Sequence, residues 1–271
     1  MPRRAATSPE LPGRKLPLKS ALNVKGLEAP VEVRRHPAAR RLTLRVSQTR
    51  RAVIVTVPSR CRMDEASLFV HRNIDWVRTR LGALPDLVPF AHGMLLPLRG
   101  LPHHVRFVAS DATGPIVRTA TRADGAREIV VRGHAENCPR RLRDWLYAQA
   151  KADLDRCVAF HAGRLGLRPR RISLRDQASR WGSCSTSGVL SFSWRLLLAP
   201  PVVLDYVAAH EVAHLAEMNH GARFWALVKQ TMPEMDKAKS WLSTHGLGLH
   251  RYGASPDDVG KGAAGIAAKS S

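Results

Sequence analysis

Long apolar runs are missing from this 271-residue sequence: no stretch approaches the roughly 20 uninterrupted apolar residues that a membrane-spanning helix needs. The basic start, Met1-Pro2-Arg3-Arg4, leads into Pro, Ser and Lys rather than an apolar segment, which argues against a secretory signal and makes cytoplasmic residence the expectation. Cysteine is scarce too. Cys61, Cys138, Cys157 and Cys184 are scattered and form no C-x-x-C pair, so they read as reduced thiols, neither a disulfide framework nor a cage of paired metal ligands. No internal repeat is present. Acidic residues are outnumbered, 22 against 43 Lys and Arg, and the net charge of +21 is unevenly spread. Residues 1–60 hold 14 Lys/Arg against 3 Asp/Glu, whereas residues 201–271 balance at 7 against 7. Such a field can hold a polyanion, which makes nucleic acid a candidate partner. The apolar content of 44% is that of an ordinary globular protein with a buried core.

Residues 1–27, rich in Pro, Lys, Arg and Ser without an apolar period, read as a disordered basic tail. Val31 and Val33, then Leu42, Leu44 and Val46, then Val53, Val55 and Val57 alternate with polar neighbours, which predicts a small antiparallel meander. One helix is expected over 63–81, with Ala66, Phe69, Val70, Ile74, Val77 and Leu81 on one stripe. Short β-like pieces follow at 105–108, 116–118 and 128–131, giving a small β-rich N-terminal domain over 28–135. A long helix opens at Pro139 and closes at Gly166, and the catalytic domain is expected over 136–246. Within it come strands at 171–175 and 189–195 flanking a loop, a helix starting at Pro200-Pro201, a helix over 222–232, and another from Pro233 to His245-Gly246. Residues 247–271 read as a second disordered tail.

His210-Glu211-Val212-Ala213-His214 lies on the helix that starts at the two prolines. Positions i and i+4 share one helix face, so the two imidazoles converge on a single ion. Glu211 sits about 100° round the helix, placed to take a proton from a metal-held water without ligating. Zn²⁺ lowers the pKa of such a water from about 15.7 towards 7, which makes it a nucleophile for a carbonyl carbon. Chance alone gives about 0.02 occurrences of this pattern in such a chain, so it is specific. A catalytic zinc has three protein ligands and an open fourth position. His220, ten residues after His210, is the leading third ligand; Glu234 and Glu217 are its rivals. The related pattern H-E-x-x-H-x-x-G-x-x-H has a helix-breaking Gly where this chain has Glu217, and Asn219 with Gly221 is expected to make the turn instead.

The run Arg175-Asp176-Gln177-Ala178-Ser179-Arg180-Trp181-Gly182-Ser183-Cys184-Ser185, with Leu190 to Arg195 and His210 to Trp225, resembles the signature of the YgjP-like metallopeptidases, zincins related to the SprT-like proteases. The resemblance spans about residues 28–245. It implies an α+β zincin-like catalytic domain, one Zn²⁺ per chain held by His210, His214 and His220, Glu211 as general base, and a protein or peptide substrate. The SprT relation adds weight to nucleic-acid contact. Strand 189–195 is the candidate edge for an extended peptide, with Arg180, Trp181 and Ser183 as substrate-binding candidates at its rim. Arg175 or Arg180 would stabilise a developing oxyanion. Cys184 is a further, inhibitory ligand candidate, and Phe224 with Trp225 packs behind His220. Two other readings share these residues: a nucleic-acid-associated module with a structural or inert zinc site, and a zinc hydrolase of a non-peptide amide.

Overall fold

Alternating valines build the first part of the chain. The computed structural model describes residues 19–109, 114–177 and 180–254, so the expected tails at 1–18 and 255–271 lie outside the described residues. The chain is α+β and divides into two units, Met1–Leu84 and Pro85–Ser271. In the first, β1 (Lys19–Leu22), β2 (Val31–Arg35), β3 (Thr43–Ser47) and β4 (Ala52–Val57) form a sheet of order β1-β2-β4-β3. Two helices, α1 (Met63–Arg72) and α2 (Ile74–Gly82), cover it. Val31, Val33, Val53, Val55 and Val57 meet Ala66, Val70 and Val77 in a shared core.

Three expectations are corrected in this unit. Strand β1 pairs antiparallel with β2, so residues 19–22 belong to the sheet and not to a tail. The sheet is no meander. Strands β3 and β4 close as an antiparallel hairpin past Arg51, at φ 46°, and β2 then takes the other side of β4 in parallel register, Val31 opposite Val53. The single helix is two, because Asn73 Nδ2 donates to the Phe69 carbonyl at 2.8 Å and takes the acceptor that continuous helix would have used.

The second unit begins with β5 (Val88–Pro89), β6 (Leu95–Leu98), β7 (Leu101–Val108), β8 (Val117–Thr121) and β9 (Arg127–Arg132). Strands β6-β7-β9-β8 make a four-stranded sheet. Helix α3 (Cys138–Leu165) follows, with Pro139 in its first turn and Gly166 closing it at φ 66°. Next are β10 (Arg171–Arg175), β11 (Gly182–Cys184) and β12 (Val189–Ser193), a 3₁₀ turn over Trp194–Leu198, α4 (Pro201–Ala213), α5 (Ala222–Thr231), α6 (Met235–Leu249) and β13 (Tyr252–Ala254). A single core joins Leu96, Val105 and Ile129 of the sheet to Leu142 and Leu146 of α3 and Val207 and Ala208 of α4. The sheet's apolar face is therefore covered by α3, and the units divide at 84/85 rather than at the expected 135/136. Strand β13 pairs with β5, Tyr252 opposite Val88, so the expected tail from residue 247 is helix and strand as far as Ala254.

In the small sheet β12 is central, parallel to β10 and antiparallel to β11. Both sides of its ladder are taken, so the strand expected to receive a peptide cannot do so. The position beyond β12 falls to β11, an edge strand within the stretch expected to be a loop. No helix among the described residues is long and apolar enough to cross a membrane.

Candidate metal centre

Helix α4 is apolar on nearly every side: Val203, Leu204, Val207, Ala208, Ala209, Val212 and Ala213 are all buried. A helix clad in this way is held rigidly and presents its few polar side chains at fixed angles. His210 lies in its last turn and His214 at its C-cap, with ring centroids 4.9 Å apart. The chain leaves the helix by tightening, with Leu215 N–H donating to Val212 O and Ala216 N–H to Ala213 O, at 3.0 and 3.1 Å. Neither Asn219 nor Gly221 adopts the left-handed conformation expected of them; Gly221 is extended at φ −80°, ψ −175°. A turn that tightens through αR backbone needs no glycine, which is why Glu217 is tolerated there.

That turn brings His220 back over the helix. Ligand atoms of His210, His214 and His220 lie within 4.8 Å of one another. The Nε2 atoms of His210 and His220 face each other at 3.0 Å. Two nitrogens at about 2.0–2.1 Å from a tetrahedral zinc lie roughly 3.3 Å apart, so the observed donor set fits such an ion. His214 Nδ1 lies 3.0 Å from the Glu217 carbonyl; donation to it leaves Nε2 with a free lone pair. Burial, then the charges of His214 and His220, lower the His210 pKa to about 4, and burial also lowers that of His214. Both are neutral near pH 7, the state a ligand requires. Phe224, fully buried, packs its ring centroid 4.8, 4.5 and 4.7 Å from the three imidazoles in turn, with Trp225 at 5.8 Å from His220.

Glu211 is buried on the side of α4 that meets β11. A Cβ added at Gly182 would lie 2.6 Å from Glu211 Cγ, so the carboxylate arm occupies the space that glycine leaves. Burial raises the Glu211 pKa to about 7, against the opposing charge of Arg180. The candidates around Gly182 separate. Arg180 is exposed and close enough to act electrostatically on Glu211. Trp181 is half-buried, its ring 4.8 Å from His250 and against Gly246 of α6. Ser183 sits in β11 opposite Ser191 of the central strand. Arg175 ends β10, on the far side of β12 from β11.

The rival ligands are engaged elsewhere. The Glu234 carboxylate is exposed and takes Lys237 Nζ at 3.0 Å, and that of Glu217 takes Arg223 Nε at 3.1 Å. Cys184 donates to Ser185 O at 3.4 Å and stands outside the histidine group. Lys239 bears on the site without any sequence signal of its own, reaching it through space; Gly182, Asp176 and Arg195 were signalled by their place in the family-like runs and not by a role of their own.

An α+β fold in which a rigid helix and the turn after it gather three histidines beside a buried glutamate defines a metallopeptidase-like centre. The chain belongs to the YgjP-like family: the model of the YgjP-like metallopeptidase domain matches residues 40–245. A search of curated proteins finds no match. Among solved structures, the chain is similar to the metallopeptidase zymogen abylysin of Pyrococcus abyssi, at 18% identity and a TM-score of 0.32, over 34% of this chain and 92% of that one.

Proposed function

We propose that the protein hydrolyses peptide bonds with one divalent ion, Zn²⁺ by its donor set, held by His210, His214 and His220, and with Glu211 as general base. The observation that carries this reading is the convergence of three imidazoles next to a buried carboxyl group whose pKa is raised to about 7. When bound, the ion supplies Lewis acidity, polarising a carbonyl and acidifying water. The residues do the rest. Glu211 takes up a proton at its carboxylate and returns it to the leaving amine, a task suited to a pKa near the working pH. Strand β11 offers an extended substrate its outer edge in place of the β12 edge first expected. Arg180, beside Glu211, keeps part of the carboxyl ionised and stands where a substrate carbonyl oxygen would be drawn.

Metal analysis and casein hydrolysis test this together. Wild type should hold about one zinc per chain, His220→Ala should lose most of it, and Glu234→Ala should keep it. Glu211→Gln should retain the metal while its turnover falls by about 10²–10⁴, the range for loss of a general base. Metal retained in His220→Ala, or full turnover in Glu211→Gln, would overturn the assignment. An inert-zinc nucleic-acid module gains no support from the family match, which concerns a metallopeptidase domain.

A further inference from the structure

Lys239, just over one turn into α6, is exposed and carries its ammonium 4.7 Å above the Trp225 ring. The same indole lies 5.9 Å from His210 and 5.8 Å from His220. A cation over an indole face is held in place electrostatically, so this charge is fixed beside the histidines rather than swinging in solvent. Among the described residues it makes no ion pair, whereas Lys237, on the same helix, is neutralised by Glu234. On the Glu211 side Arg180 is a second exposed cation acting on the centre. Two exposed cations thus stand near the metal centre, Lys239 over Trp225 and Arg180 beside Glu211.

Resting on the peptidase reading above, we propose that Lys239 is a specificity-determining residue that selects peptides bearing a carboxylate next to the scissile bond. An ammonium fixed at the rim attracts a peptide anion and adds nothing for a neutral side chain, so it discriminates by charge. At neutral pH the anions of an unmodified peptide are carboxylates, supplied by an Asp or Glu side chain or by the free C-terminus.

The test uses the zinc-loaded full chain carrying Glu211→Gln, so that binding is read without turnover. Fluorescence anisotropy follows three labelled octapeptides: amidated with Asp or Glu at the centre, amidated with Asn or Gln there, and neutral with a free C-terminal carboxylate. One or both carboxylate peptides should bind about five- to tenfold more tightly than the neutral one, as for a partly shielded charge pair, and which of them does so identifies the source. Added Lys239→Met should level the preference and Lys239→Glu should reverse it. Lys237→Met, which removes the same charge from the same helix away from Trp225, should leave it intact. Equal binding of charged and neutral peptides, or a preference that survives Lys239→Met, overturns the proposal while leaving the peptidase reading standing. If no peptide binds and wild type cuts none, the peptidase reading fails and this specificity fails with it.

Discussion

Glu211 owes its position to a missing side chain. Gly182 is not in a left-handed conformation, so alanine fits the backbone there, but its methyl group would claim the space of Glu211 Cγ. Gly182→Ala should therefore act as a displacement of Glu211. Turnover should fall by roughly 10²-fold, as for a misplacement of about 1 Å, with KM and zinc content little changed. Steady-state kinetics with metal analysis check this; wild-type turnover would mean that Glu211 is not held by this contact. At this scale the sequence was most legible where chemistry follows from local spacing. His210 and His214 share a face because a helix has a fixed pitch, and Glu211 is placed by the same arithmetic. His220 was legible by distance along the chain, although the expected left-handed turn at Asn219 is replaced by αR tightening. Gly182 and Lys239 were not legible in the same way, because each meets the site from an element distant in sequence.

Elements were legible by period and their partners were not. The valine alternation located β2 and β4 but could not tell a meander from a sheet in which those two strands run parallel, since pairing is decided by which edge remains free. The same limit made β12 look like an open edge. The most consequential unread tie joins the end of β12 to the end of α6. Arg195, nearly buried, grips Asp176 through two hydrogen bonds of 2.7 and 3.1 Å and donates to the carbonyls of Leu249 and Tyr252. Burial would raise the Asp176 pKa, but the hydrogen bond and charge of Arg195 outweigh it and hold the carboxyl below its ordinary value. His250 lies in the same tie, and burial, then the charge of Arg195, lowers its pKa to about 4, so the folded state holds it neutral. In the unfolded chain it titrates near 6.5, so unfolding takes up a proton between these values. Its contribution to stability is full above pH 6.5 and is lost as pH falls towards about 4. His250→Phe keeps a ring against Trp181 and removes the titration. Denaturant unfolding of both proteins across pH 4–7.5 should show the variant gaining relative to wild type as pH drops through that window. A difference that stays constant with pH would show that His250 is not held neutral.

For the whole molecule, the decisive fact is that the two units have separate hydrophobic cores, and that every residue named in the metal centre belongs to the second. The division falls about 50 residues before the expected boundary, because short strands at 101–132 look like a continuation of the β-rich first unit but pack on α3. Yet the family match begins at residue 40, inside the first unit, so the family carries both units together. The basic excess lies in that N-terminal part, where residues 1–60 hold 14 Lys/Arg against 3 Asp/Glu. A chain of residues 85–271 should accordingly fold cooperatively, bind about one zinc and hydrolyse short peptides in a Glu211-dependent way. It should also elute from heparin at markedly lower salt than the full chain, since retention on a polyanion scales with the number of cations engaged. Short peptides should be cut by both chains at similar kcat/KM, because the cleft residues are the same. If the shortened chain lost its metal or failed to fold, the first unit would be part of the catalytic scaffold; if it kept its full heparin affinity, the basic N-terminal residues would not be what heparin engages.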